Sequence, residues 1–129
     1  MSAISELSQL CKKMNPSCAP EKYYFVTTHE TIENAHASFI EEEGITYVLK
    51  EKDLPRDSSF ETSGPFALIT LKVYSSLAAV GFLAIITKAL AQEHISVNVI
   101  SGYYHDHLFV PWDKRKEATR HLLEIPERY

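Results

Sequence analysis

With 129 residues, the chain is long enough for one compact domain, or for two very small ones that share a core. Hydrophobic residues make up 45% of the chain and charged residues 23%, a globular composition that excludes a disordered protein. The net charge of -4 argues against nucleic-acid binding, because neutralising phosphates requires a basic surface.

Cysteine content and apolar runs bear on the cellular compartment. The two cysteines, Cys11 and Cys18, are too few for a disulfide framework or a four-thiolate zinc site. The N-terminal segment lacks the basic stretch and unbroken apolar core of a secretory signal. The longest apolar run, residues 77–86, is too short to span a bilayer. We therefore expect a soluble cytoplasmic protein that binds no membrane.

The first half of the chain has the pattern of one helix and three strands. Residues 4–14 have helical spacing, with Cys11 on an apolar stripe that predicts a buried thiol. The aromatic and β-branched residues 22–28 predict a strand, and residues 37–51 predict a hairpin around a Glu-Glu-Gly turn. Residues 54–65, rich in Pro, Ser, Gly and charges, predict a linker with little to bury.

The second half predicts a strand, a helix, two strands paired as an antiparallel hairpin, and a last helix. The predicted ranges are 66–73, 77–93, 95–102, 107–111 and 113–124. We expect Ser75 or Ser76 to cap the first of these two helices. The expected buried positions are Ala67, Ile69, Leu71 and Val73 on the first strand and Ala118, Leu122 and Ile125 at the last helix.

This order of elements is β-α-β-β-α, which predicts a ferredoxin-like α+β sandwich with an antiparallel sheet. Together with the first half, it brings the expected total to six strands and three helices. We expect two half-domains whose sheets share a core, an N-terminal one over residues 1–64 and a C-terminal one over residues 65–129.

The helix expected over residues 77–93 carries more apolar surface than one sheet can cover. Residues 77–86 are apolar all round, and the first polar side chain of the helix body is Thr87. A helix that covers one face of a sheet normally keeps a polar stripe. Either the N-terminal half covers the outer side or a second copy does, and we expect at least a homodimer.

The stretch VYSSLAAVGFLAIITKALAQEHISVNVISGYYHDHLFVP, residues 73–111, resembles the ACT domain, the regulatory module of many amino-acid metabolic enzymes. The resemblance lies in a strand, a loop that enters a helix at Val80, Gly81, Phe82 and Leu83, and a next strand that carries an Asn. The whole chain resembles a family of small stand-alone bacterial ACT-like proteins. The resemblance implies a ferredoxin-like fold, oligomerisation, effector binding at an interface and no catalysis.

The loop before this helix is the first candidate binding site. Backbone N–H groups at a helix start attract a carboxylate, Ser75 and Ser76 would add hydroxyl donors, and Gly81 would allow close approach. Asn98, polar among apolar strand residues, is a candidate partner for a ligand. The alternative is that the serines only cap the helix and that Asn98 only satisfies backbone. The resemblance favours ligand binding, although the loop lacks the acidic residue of many ACT regulators.

His105 and His107 are the second candidate. In an extended chain they share one face, while Asp106 points to the other. Two imidazoles hold Zn²⁺ only with at least one further protein ligand, and no second cluster in the sequence completes the set. We therefore interpret the histidines as binding groups at the hairpin, with Tyr103 as an amphipathic wall and a metal site as the alternative.

The sequence thus predicts a non-enzymatic regulatory protein that binds an amino acid or a related carboxylate and needs no cofactor. The predicted ligand-binding residues are Ser75, Ser76, Leu77, Val80, Gly81, Asn98, Tyr103, His105 and His107. One alternative is a small metal-binding protein or enzyme that uses His105 and His107. Another is an interaction module whose apolar helix docks on a different protein.

Overall fold

A computed structural model of the chain describes residues 2–56 and 60–129. These residues form six β-strands and three α-helices, as the sequence predicts. The elements are α1 (Leu7–Lys13), β1 (Pro16–Thr28), β2 (Ala37–Ile40), β3 (Ile45–Lys50), β4 (Glu61–Leu71), α2 (Phe82–Gln92), β5 (Asn98–Ser101), β6 (Asp106–Pro111) and α3 (Arg115–Glu124). Short 3-10 turns lie at Glu51–Asp53, Trp112–Lys114 and Ile125–Arg128. Within the described ranges, no helix has the length and apolar character needed to cross a bilayer.

The chain divides into two compact units. The first comprises Met1–Ala19 and Ala67–Tyr129, and the second comprises Pro20–Phe66. Residues of β1 and β4 are therefore shared between the units. These units are defined by contacts within the fold, whereas the boundary predicted after residue 64 separates two domains along the sequence. The predicted domain boundary therefore stays a prediction.

The first unit contains the predicted β-α-β-β-α order, from β4 through α2, β5 and β6 to α3. Its strands follow the order β1-β4-β6-β5. The predicted hairpin is confirmed, because β5 and β6 pair antiparallel from Asn98 opposite Phe109 to Ser101 opposite Asp106. This α+β arrangement with an antiparallel hairpin is the ferredoxin-like class that the sequence predicts.

The core of the first unit lies between its strands and helices. The apolar face of β4 and the segment after it is fully buried, as predicted, at Ala67, Ile69, Leu71 and Val73. The helices contribute Leu10, Cys11, Met14, Phe82, Ile86, Leu90, Ala118, Leu122 and, just after α3, Ile125. The alternation along β4 and the helical spacing of the other residues explain why they meet in one cluster.

Helix α1 begins later than the predicted residue 4. The Glu6 carboxylate accepts hydrogen bonds from the N–H groups of Ser8 and Gln9, and so caps the helix at that point. Ile4 forms an isolated parallel β-bridge with Ser75 instead. Its N–H donates to the Tyr74 carbonyl at 2.8 Å, and its carbonyl accepts from the Ser76 N–H at 2.8 Å. The helix pattern could not reveal this bridge, because Ser75 lies far away in the sequence.

Helix α2 also begins later than predicted, and its cap is Gly81 rather than Ser75 or Ser76. Gly81 has a φ of +93°, which glycine adopts at low cost. Because this φ is not helical, an α-helix cannot continue through Gly81. Residues 76–79 form a turn in which the Ala79 N–H donates to the Ser76 carbonyl at 3.0 Å. The prediction of a helix from residue 77 was therefore wrong, while its C-terminal half was right.

In the second unit, β2 and β3 form the predicted hairpin, and β1 pairs antiparallel with β3. Its strands follow the order β2-β3-β1-β4, and Val26, Tyr47 and Leu49 form a small core. The linker predicted over residues 54–65 is wrong for its last part, because Glu61–Leu71 is strand β4. The first five residues of β4 are exposed, so strand pairing rather than burial overrides their weak strand propensity. Residues 57–59 of that prediction lie outside the described residues.

Candidate functional site

A cavity of about 180 Å³ lies at the entry to α2 in the first unit. Its walls come from the loop after β4, the first turn of α2, and the facing ends of β5 and β6. The lining residues are Ser75, Ser76, Leu77, Ala79, Gly81, Phe82, Leu83, Ala84, Ser101 and Asp106. We call this the loop–helix cavity.

Asp106 is the charged group of the loop–helix cavity. Its side chain is only 6% exposed, although it begins strand β6. The Ser75 hydroxyl donates to Oδ2 at 3.1 Å, and the Ser101 hydroxyl donates to Oδ1 at 2.7 Å. Within residues 2–56 and 60–129, no Lys, Arg or His forms an ion pair with this carboxylate. The site therefore holds a buried negative group whose partners are two neutral hydroxyls.

The position of Ser75 follows from the β-bridge to Ile4. Because the bridge holds the backbone on both sides of Ser75, its hydroxyl is directed at Asp106 across the end of the sheet. Ser101 reaches the same carboxylate because it lies opposite Asp106 in the β5–β6 register. Three separate elements thus hold the acid in one orientation.

The N-terminus of α2 supplies the opposite electrostatic end of the cavity. No side chain caps it, since the N-cap residue is Gly81. The N–H groups of Phe82, Leu83 and Ala84 come before the first intrahelical hydrogen bond, which the Ile85 N–H donates to the Gly81 carbonyl. Such a terminus carries about half a positive elementary charge. One small cavity therefore offers a carboxylate to a cation and backbone donors to an anion.

The structure brings four of the nine predicted site residues together in this cavity: Ser75, Ser76, Leu77 and Gly81. Val80 lies in the same loop but points outward, with 84% of its surface exposed. Asn98 is exposed on β5, which is an outer strand of the first unit. Neither residue lines the cavity.

His107 lies on the other face of β6 from Asp106, as the alternation of an extended strand predicts, and His105 immediately precedes that strand. His107 Nδ1 is 3.1 Å from the Thr70 hydroxyl, and the two imidazole centroids are 6.5 Å apart. Within the described part of the chain, no three His, Cys, Asp or Glu side chains form a group that could hold a metal ion.

Tyr103 belongs to a cluster of three tyrosine rings beside the hairpin. Its ring centroid is 6.4 Å from that of Tyr74 and 5.0 Å from that of Tyr104. Tyr103 and Tyr104 are both largely exposed. Partial burial and the neighbouring Tyr103 phenol raise the pKa of Tyr74.

Asp106 and Ser101 are the two polar cavity residues that the sequence did not predict as site residues. The sequence predicts only that Asp106 lies on the strand face opposite His105 and His107, and gives it no role. The sequence did contain a signal for the orientation of Asp106, because Leu108 and Val110 lie two and four residues further along the same strand. Because those residues are buried against the helices, Asp106 must face the helix side too, where only a functional or paired acid is expected.

Comparisons with known proteins agree with this architecture. The ACT domain family matches residues 65–124 and also residues 2–59. A protein of unknown function from Vibrio cholerae is 37% identical, with a TM-score of 0.81 over 97% of this chain and 99% of that one. No curated protein matches the sequence.

Two more distant structures share the fold. The regulatory subunit of aspartate kinase from Thermus flavus has a TM-score of 0.62 at 7% identity, over 85% of this chain and 95% of that one. Aspartate kinase from Clostridium acetobutylicum has a TM-score of 0.66 at 10% identity, over 83% of this chain and 33% of that one. The fold, the two family matches and the Vibrio cholerae relative together identify the chain as a member of the ACT domain family.

Proposed function

We propose that this ACT protein is a non-enzymatic regulatory protein whose effector is a free amino acid, bound in the loop–helix cavity. Membership of the ACT family supports a small-molecule-binding regulatory role in general. The cavity supports the more specific assignment. The effector's ammonium group would pair with Asp106, and its carboxylate would accept hydrogen bonds at the start of α2.

The observation that carries this proposal is the buried Asp106 carboxylate, which has no cationic partner among residues 2–56 and 60–129. Removing an ion from water costs several kcal/mol in a protein interior, and two hydroxyl donors offset only part of that cost. A bound ammonium group would supply the missing opposite charge. A carboxylate at the uncapped helix terminus would add roughly 0.3–2 kcal/mol, depending on its burial. An α-amino acid carries both groups on one carbon atom.

The same cavity supports a regulatory rather than a catalytic role. Ser75 and Ser101 both donate to Asp106, so the two hydroxyls share one carboxylate and neither belongs to a Ser–His pair of the kind that activates a nucleophile. Histidine is not among the lining residues. The cavity is also smaller than the roughly 300–1,000 Å³ of most ligand sites, which suits a small metabolite. We place the protein in the cytoplasm, where free amino acids are abundant.

Two further parts of the proposal concern the organisation of the chain. The separate family matches support a division after residue 64 into an N-terminal ACT-like half and a C-terminal ACT domain. The exposure of Leu77, at 68%, and Val80, at 84%, supports a homodimer that covers this loop. Effector binding next to Leu77 would then alter the dimer contact, and regulation would follow from that linkage.

A thermal-shift screen of the twenty amino acids, with and without EDTA, tests the proposal directly. A selective ligand at 100 times its Kd is expected to add about 2.7 kcal/mol of apparent stability, independent of EDTA. The amide and the N-acetyl derivative of the same amino acid should each lose most of the effect, because each removes one charged group.

Variants assign the effect to the cavity. Asp106→Asn keeps the shape of the side chain but removes its charge, and should abolish the shift while leaving the folded protein intact. Asn98→Ala is the matched control, because Asn98 lies outside the cavity, and it should leave the shift unchanged. If no amino acid stabilises the protein, or if Asp106→Asn binds as well as the wild type, the proposal is wrong. Loss of stability in EDTA that disappears in His107→Ala would favour a metal-binding function instead.

A further inference from the structure

A second cavity of the first unit lies between α2 and the C-terminal 3-10 turn Ile125–Arg128, and it shares only Ala84 with the lining of the loop–helix cavity. Its volume is about 280 Å³. The α2 residues that line it recur at helical spacing and so lie on one face of that helix. The opposite wall is formed by Ile125, Arg128 and Tyr129. We call this the C-terminal cleft.

The walls of the C-terminal cleft are held in place by packing and one hydrogen bond. Ile125 is 1% exposed and belongs to the core of the first unit, and Ile85 and Ala89 pack against the same core. The Ser8 hydroxyl donates to the Tyr129 carbonyl oxygen at 3.3 Å, which ties the end of the 3-10 turn to α1. The floor and the apolar wall of the cleft are thus part of the folded unit.

Two cations of the cleft, Lys88 and Arg128, lack acidic partners. Among the described residues, neither side chain forms an ion pair or a hydrogen bond. The carboxylates of Glu93 and Glu124 do not line the cleft and lie 3.6 Å and 3.7 Å from the ring nitrogens of His121. Arg128 follows Glu127 in the turn, but Glu127 does not line the cleft.

We propose that the C-terminal cleft binds a second small molecule, an anion with a short apolar body. The anionic group would lie between Lys88 and Arg128, two exposed cations that pair with no acid of the described residues. The apolar body would lie against Ile85, Ala89 and Ile125, and burying that apolar surface away from water would favour binding. Gln92 adds an amide that can donate to the anion or accept from a hydroxyl of the ligand.

This ligand differs in kind from the one proposed for the loop–helix cavity. That cavity combines one acid with a helix terminus and suits a zwitterion. The C-terminal cleft combines two cations with apolar side chains and suits an organic carboxylate or phosphate. The two proposals depend on different charged groups, Asp106 and the start of α2 for the first and Lys88 and Arg128 for the second, so either can fail without the other.

The test uses hexanoate and hexyl phosphate as probes on the full ¹⁵N-labelled chain, with backbone amide shifts as the readout. Both probes should shift amides of α2 and of residues 125–129, and hexylammonium should not. The two anionic probes also distinguish a carboxylate from a phosphate as the preferred group. Acetate should bind much more weakly than hexanoate, because it lacks the apolar body.

Two matched double variants distinguish binding in the cleft from a general effect of positive surface charge. Lys88→Gln/Arg128→Gln should raise the Kd of the better probe at least tenfold. Lys116→Gln/Arg120→Gln removes the same charge from exposed positions of α3 and should leave the Kd unchanged. Ala89→Leu should fill the cleft and also block binding.

Three results would overturn the proposal. The first is no shift of the cleft amides by either anion. The second is equal binding by the Lys88→Gln/Arg128→Gln variant, and the third is equal binding of hexylammonium. Cleft amides that shift with protein concentration alone would show that a second copy occupies the cleft, which also contradicts a small-molecule site.

Discussion

Gly81 is the residue on which the entry to α2 depends. Its φ of +93° lies in the left-handed region, where a side chain clashes with the local backbone. A Cβ atom at this position would contact only Leu7, at 3.7 Å, which is an ordinary van der Waals distance. The free-energy cost of adding a Cβ atom therefore comes from the backbone conformation and not from a clash with neighbouring side chains.

We expect Gly81→Ala to lower the free energy of unfolding by about 1–2 kcal/mol, because alanine must adopt the left-handed conformation. Urea denaturation followed by circular dichroism measures the change. Val80→Ala is the control, since Val80 is exposed, and its effect should stay within about 0.5 kcal/mol. An unchanged midpoint for Gly81→Ala would mean that the turn relaxes without cost.

His36 is the residue from which a pH dependence can be argued. Its ring packs edge-on against Tyr23, with centroids 5.1 Å apart. Although His36 is an exposed residue, partial desolvation of its ring and the positive charge of Lys50 lower its pKa from the ordinary 6.5, against a smaller opposing effect of Glu21. The unfolded chain therefore takes up a proton more readily than the folded one, and stability falls as the pH drops from 6.5 through the lower folded pKa.

The expected result is that the wild type loses more stability between pH 7.5 and pH 5.5 than His36→Gln does. Urea denaturation at the two pH values provides the comparison. His29→Gln, at another exposed histidine of the same unit, should retain the pH dependence of the wild type. If His36→Gln behaves like His29→Gln, partial desolvation of the His36 ring has no energetic consequence.

Helix α2 shows how an element can be partly predictable. Its buried residues Phe82, Ile86 and Leu90 recur at helical spacing, and this signal was present in the sequence. The wrong start had a local cause, since Ser75 and Ser76 are good capping residues by type. Ile4 engages both of them in a β-bridge, and a bridge between distant segments leaves no local pattern.

Burial of α2 predicts the effect of truncating one of its side chains. Ile86 is fully buried, so Ile86→Ala should lower the free energy of unfolding by about 2–4 kcal/mol through lost apolar contacts and the cavity left behind. Lys88→Ala, on the exposed side of the same helix, should change it by less than about 0.5 kcal/mol. Equal effects of the two variants in chemical denaturation would contradict the packing described for α2.

Strand β4 shows the opposite case, in which tertiary pairing overrides local composition. Residues 61–65 contain Gly64 and Pro65 and are exposed, so neither propensity nor apolar alternation indicates a strand. These residues adopt the strand conformation because β4 pairs with neighbouring strands, and the tertiary fold determines which strands those are. From Ala67 onward, the alternation of buried apolar residues by itself indicates a strand, and that part of β4 was predicted.

The whole molecule is expected to be a homodimer, as proposed above. Light scattering after size exclusion, at micromolar concentration, should give twice the monomer mass. Leu77→Glu/Val80→Glu should produce a monomer, because these side chains are exposed and apolar. Phe39→Glu/Ile40→Glu, which changes a second exposed apolar pair, should leave the dimer intact. A wild-type monomer, or dissociation only by the second variant, would contradict the proposed contact.

The sequence by itself determined the α+β class, the element order, the buried positions of β4 and α3, and the resemblance to the ACT domain. These properties follow from periodicity and from local motifs. Only the tertiary structure decided where α1 and α2 begin, which predicted residues share a cavity, and that Asp106 is the acid in it. Those features depend on Ile4, Ser75, Ser101 and Asp106 meeting across three elements, and contacts between distant segments are set by packing rather than by local pattern.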